Sequence, residues 1–101
     1  VVRINGKPAN GAADFVITKS GELRFGRRHL ELSDEADSVF AAGEVFFENG
    51  KIVAINRESG HFRPSAEDLD RAAEFFRSTR LTAGDFEAVN FRFDPDRFIR
   101  P

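Results

Sequence analysis

Val45-Phe46-Phe47-Glu48-Asn49-Gly50-Lys51-Ile52-Val53-Ala54 is the stretch whose reading decides the fold. Asn49 and Gly50 both tolerate positive φ, which a two-residue hairpin turn demands at both of its central positions. Folding the chain there pairs Glu48 with Lys51, Phe47 with Ile52, Phe46 with Val53 and Val45 with Ala54. Both faces of the ribbon's middle are then apolar. Such a hairpin belongs in the centre of a sheet, with a helix over at least one side.

Upstream, Phe15-Val16-Ile17-Thr18-Lys19-Ser20-Gly21-Glu22-Leu23-Arg24-Phe25 is a second hairpin. Lys19-Ser20-Gly21 suits a three-residue loop with glycine in the left-handed position. Ile17 then faces Leu23 and Phe15 faces Phe25. Residues 1–4 form a short strand ending at the Asn5-Gly6 turn, and Pro8 keeps any return strand short or at an edge. Residues 10–13 are small and polar and predict a loop. Residues 26–37 form a charged connector, long enough to suggest function or mobility.

Downstream, the spacing predicts a helix over residues 65–80. Ser65 is its cap, Asp68 completes a capping-box-like start, and Leu69, Ala72, Ala73 and Phe76 form one stripe with Phe75 on its flank. Gly84 ends the following turn. Residues 87–93 predict a last strand with Val89, Phe91 and Phe93 on one face, broken by Asp94-Pro95-Asp96. The expected fold is therefore α+β: a mainly antiparallel sheet of two β-hairpins plus a C-terminal strand, packed on one amphipathic helix. Residues 1–101 make a single domain, with no repeat, low-complexity tract or linker.

A chain of 101 residues with 41% apolar residues can bury a core without a staple. All 12 aromatics are Phe, large apolar groups without a polar handle, and therefore core material. The absence of Cys excludes disulfides, thiol catalysis and thiolate metal sites. No apolar run reaches the ~18 residues of a membrane span, and no signal peptide is visible. The chain contains no Met, which suggests an excised or processed part of a longer protein. A net charge of −2 argues against a broadly basic nucleic-acid surface, while leaving room for a local cationic patch.

Only two histidines are present, His29 and His61, each near arginine in a connecting segment. His61 lies in Ser59-Gly60-His61-Phe62-Arg63-Pro64-Ser65, between the second hairpin and the helix. Free N–H groups at a helix start, together with Arg63, suit an anion. Two imidazoles around such a site can act as general base and general acid. The structural alternative gives His61 to a tight turn, Ser65 to a plain cap, and Arg27-Arg28 to a solvated pair facing Glu31, Asp34 and Glu35. The acidic residues 34–37 lack calcium-loop spacing, two histidines without Cys make a poor zinc set, and phosphate-loop and nucleophile-elbow motifs are missing. No metal or cofactor is expected. Glu44 and Glu48 read as solvent- or edge-facing charges on a strand.

The ordered set Gly26-x-x-His29-x-x-Leu32-Ser33, Ala42-Gly43-Glu44, Asn49-Gly50-Lys51 and residues 59–65 resembles a module found in two settings. One is the C-terminal region of bacterial secreted or polymorphic toxin-like proteins. The other is the plant IQ-motif-containing proteins, with a similar S-G-H-Y-R-P segment. Phe62 stands here where the module has Tyr, so a phenolic hydroxyl is absent. Asp34-Glu35 replaces a glycine-rich step.

The resemblance implies a shared site containing His29, Ser59, His61 and Arg63, in a bacterial domain secreted or delivered within a larger protein. Two readings of function stay open, beside a third in which residues 59–65 are only a structural clasp and the chain is a stabilising accessory domain. In one, a toxin-like effector acts on a phosphate-bearing substrate, RNA or a nucleotide such as NAD. His29 and His61 exchange protons, while Arg27, Arg63, Ser59 and Ser65 hold the anion. In the other, the domain is a non-catalytic module that docks a protein or peptide, through an edge strand such as residues 1–4 or 87–93.

Overall fold

The computed structural model describes every residue except Arg28, residues 34–37 and Pro101, and omits the side chains of Leu30 and Glu31. The readings of Arg28 and of the acidic residues 34–37 lie outside the described residues. Asn49 and Gly50 take φ of 49° and 80°, joining β5 (Ala41–Glu48) to β6 (Lys51–Ile55) as the dipeptide predicts. Glu48 faces Lys51 and Phe47 faces Ile52. The next expected pair, Phe46 with Val53, does not form. A bulge shifts the register, so that Ala54 faces Phe46 and Ile55 faces Val45. One extra residue reverses the in–out alternation, which is why Ile52 and Ile55, three apart, both enter the main core.

The first hairpin joins β3 (Gly11–Ile17) to β4 (Leu23–Gly26) with Phe15 opposite Phe25 and Ile17 opposite Leu23, as expected, and Gly21 at φ 88°. Residues 11–13, expected in a loop, open β3. The correction follows from β5, which pairs with all of β3 from Gly11 opposite Phe47 to Ile17 opposite Ala41. A strand buried between two neighbours satisfies its backbone groups along its whole length, which outweighs the weak strand propensity of small residues. Part of the expected connector is also regular: α1 (His29–Leu32) is a single helical turn.

Helix α2 (Ala66–Ser78) has Ser65 as N-cap and Asp68 completing a capping box, and buries Leu69, Ala72, Ala73 and Phe76. The Phe76 ring meets Phe15 edge-on at 5.0 Å between centroids. After Arg80, at φ 63°, the chain turns back into β7 (Thr82–Ala88). The last strand therefore begins five residues earlier than residues 87–93 suggested and includes Gly84. It runs parallel to β6, with Ile55 opposite Ala88. The Val89 N–H still donates to the Ile55 carbonyl at 2.8 Å, and among the described residues no further strand pairs with β7. Phe91 is left exposed, while Val89 and Phe93 are buried against Ala12, Phe46, Ala54 and Phe98.

The sheet order is β4-β3-β5-β6-β7, antiparallel except for its last pair. One face carries α2 and the larger core; the other carries a smaller core closed by the C-terminal segment. The strand expected at residues 1–4 is reduced to β1 (Arg3–Ile4), which pairs with β2 (Lys7–Pro8) in a separate two-stranded sheet rather than at an edge of the main one. Among the described residues no helix is long and apolar enough to cross a membrane.

Candidate functional site

Residues 59–64 leave β6 and reach the start of α2 through a tight turn. Ser59 is buried; its hydroxyl accepts from the Phe62 N–H at 3.2 Å and its carbonyl accepts from the Arg63 N–H at 2.9 Å. The turn closes with Arg63 at φ 47°, a left-handed conformation that a non-glycine residue adopts at a cost of about 1–3 kcal/mol. Beside it opens a cleft of about 530 Å³, bordered by residues 56–60, Arg63, Pro64, Asn90 and Arg92. Its charged side chains are Arg57, Arg63, Arg92 and Glu58. Arg57 donates to the Pro64 carbonyl at 3.2 Å, and Arg92 pairs with Glu58 at 3.5 Å. The Arg63 guanidinium has no hydrogen-bond or ion-pair partner among the described residues.

The far wall, Asn90 to Arg92, is held from beneath by two side chains. Asn56 is buried, and its amide donates to the Glu44 carboxylate at 2.8 Å and to the Phe91 carbonyl at 2.9 Å. Its carbonyl oxygen accepts from the N–H groups of Glu44 and Glu58. Glu44 also accepts from the Phe93 N–H at 3.1 Å. Glu44 was expected to face solvent or an edge; it is only 8% exposed, because the Asn56 amide and the Phe93 N–H, from two segments, replace water around its carboxylate. Sequence reasoning missed Asn56. Its signal was a polar residue placed directly after the apolar run of β6.

The two histidines are set apart in their contacts. His29 Nε2 lies 2.7 Å from the Gly43 carbonyl, so that nitrogen carries the hydrogen, and Nδ1 faces Asp14 at 3.8 Å. The pair clamps α1 to the middle strands, and His29 borders neither the arginine cleft nor its neighbour. His61 is exposed, with its ring edge-on to Phe62, and borders a smaller cleft of about 150 Å³ with Phe40, Ala42 and Asp68. Pro64 separates the two clefts and borders both. Arg27 lies elsewhere, with its guanidinium 5.6 Å from the centre of the Phe98 ring.

Ser65 is committed to the cap. Its hydroxyl accepts from the Asp68 N–H at 3.1 Å, and the Asp68 carboxylate accepts from the Ser65 N–H at 2.8 Å. That backbone donation is the main reason the Asp68 carboxyl lies below its ordinary value; the Ser65 hydroxyl and Arg71 reinforce it, and partial burial opposes it. An ionised side chain thus already fills the anion position at the start of α2. Of the six residues singled out in the sequence, the structure brings Ser59 and Arg63 to one cleft and His61 to the next. It leaves Ser65 in the cap, His29 at the start of α1 against the Gly43 carbonyl, and Arg27 at a distant groove.

No family model matches the chain, and no solved structure matches it. The chain is similar to the IQ domain-containing protein IQM3 of Arabidopsis thaliana, 30% identical over 79 residues. That alignment covers 78% of this chain but 17% of the plant protein. The chain contains no glutamine, so it has no Ile-Gln pair of its own. The match agrees with the expected similarity to plant IQ proteins; it shows neither the motif of residues 59–65 nor a bacterial toxin-like module.

Proposed function

We propose that this domain binds a small phosphate-bearing ligand in the cleft between residues 59–64 and the Asn90–Arg92 wall. The observation that carries the proposal is Arg63. It stands in a strained backbone conformation, without a partner among the described residues, in a cleft with three arginines and one glutamate. Strain of this kind gathers at ligand clamps, and a guanidinium matches phosphate with two parallel hydrogen bonds. A volume of about 530 Å³ suits a nucleotide or sugar phosphate. A net charge of −2 favours such a ligand over long RNA.

The catalytic form of this reading is a toxin-like effector in which His29 and His61 exchange protons. It receives less support, because His29 is engaged with Gly43 and Asp14 and borders neither cleft. The alternative, docking of a peptide strand, has β7 as an edge, but β7 carries exposed Asp85 and Glu87. Charges along an edge discourage strand addition.

Amide NMR titration with ribose 5-phosphate tests the proposal. Saturable shifts are expected at Ser59, Gly60, Arg63 and Asn90, weakened about tenfold or more in Arg63→Gly, in keeping with the loss of a charged hydrogen bond. Glycine suits the backbone at that position, so the variant should remain folded, with stability unchanged or up to about 1 kcal/mol higher. Equal binding by wild type and Arg63→Gly, or no saturation by about 10 mM ligand, a weakness beyond the millimolar range, would overturn it.

A further inference from the structure

We propose that the groove between β1 and the end of β4 is a second ligand site, separate from the arginine cleft, and takes an acyl carboxylate: an apolar chain ending in a negative head. Eight residues line a space of about 470 Å³ there. Val2, Ile4, Phe25 and Ile99 supply half-buried apolar surface at the margin of the main core. The two charged residues of the lining are Arg3 and Arg27, both exposed, and the lining contains no acid.

Charge decides the head group. The protein as a whole is negative, at −2, yet this apolar groove has two cations and no anion. Neither arginine has an ion pair among the described residues. Arg27 is positioned by the Phe98 ring beneath it, which leaves the edge of its guanidinium free to meet a carboxylate. Size decides the rest. A stable protein interface draws on ~20–30 residues a side, and eight residues around a concave apolar space fit a small amphipathic molecule instead.

The experiment is an amide NMR titration with decanoate below its micelle concentration, with 1-decanol as the neutral control. It is run on wild type and on the double variant Arg3→Gln, Arg27→Gln, whose exposed substitutions leave the fold intact. The expected result is saturable shifts at Val2, Ile4, Gly26 and Ile99, still amides at Ser59 and Asn90, and weaker binding of decanol. Binding of decanoate should fall about fivefold or more in the double variant, the scale of a partly exposed charge contact. No saturation, equal affinity for decanol, or equal affinity in the double variant would overturn the proposal. So would saturation by an acidic apolar peptide under conditions where decanoate does not bind.

Discussion

Glu44 and Asn56 hold each other twice: the Asn56 amide donates to the Glu44 carboxylate at 2.8 Å, and the Glu44 backbone N–H donates to the Asn56 side-chain carbonyl at 2.8 Å. A third bond, from the Asn56 N–H to the Glu44 carbonyl at 3.0 Å, continues the β5–β6 ladder past the bulge. Gly43 makes the approach possible, since a Cβ on it would collide with the Asn56 carbonyl oxygen.

Asn56→Ala removes all four side-chain bonds at once and leaves the buried Glu44 carboxylate and the part-buried Phe91 carbonyl each short of a donor. Each unsatisfied buried group costs about 1–3 kcal/mol, so the variant should lose about 3 kcal/mol or more in urea unfolding. Because the Asn90–Arg92 wall hangs on the same bonds, ribose 5-phosphate binding should weaken as well. A loss below 1 kcal/mol would show that water replaces the side chain readily.

His29→Ala is expected to act on stability alone. Losing the bond to the Gly43 carbonyl and the neighbouring Asp14 contact should cost about 1–2 kcal/mol. Titration of the variant with ribose 5-phosphate should match wild type. A folded His29→Ala protein with binding lost would restore this histidine to the ligand site.

Asp68 gives the protein an acid-sensitive component. Its folded carboxyl lies below the ordinary value, chiefly because the Ser65 N–H donates to the ionised form. The resulting stability is fully present above the unfolded value, near 4, and is lost as pH falls through the lower folded value. Asp68→Asn should lower stability by about 1 kcal/mol at neutral pH, the usual scale of a cap. The gap between variant and wild type should close as pH falls through the lowered folded value. A constant gap across that range would assign the effect to packing rather than charge.

Local signals carried most of the fold. The Asn49-Gly50 turn, the Gly21 loop, the Ser65–Asp68 capping box and the apolar stripe of α2 were legible because each depends on residues close in sequence. The misreadings came from distant pairings. Val53 gives no sign that it is the extra residue of a bulge, and the small residues that open β3 become a strand through β5. The start of β7 depends on β6 as a parallel neighbour. At the site, the turn of residues 59–64 was visible. Asn56 and Glu44 were not, because a buried polar pair looks in sequence like two ordinary surface residues.

The parallel union of β6 and β7 sets an order of assembly. Every antiparallel pair in the main sheet can zip from a turn or along a strand already in place, whereas β7 can meet β6 only after the whole of α2 has crossed over the sheet. The strand therefore joins late, and its amides should be among the first of the main sheet to exchange with solvent. Asn90 and Arg92 follow directly behind it. The wall of the arginine cleft is then the last part of that cleft to be built, and its completeness reports whether the sheet has closed.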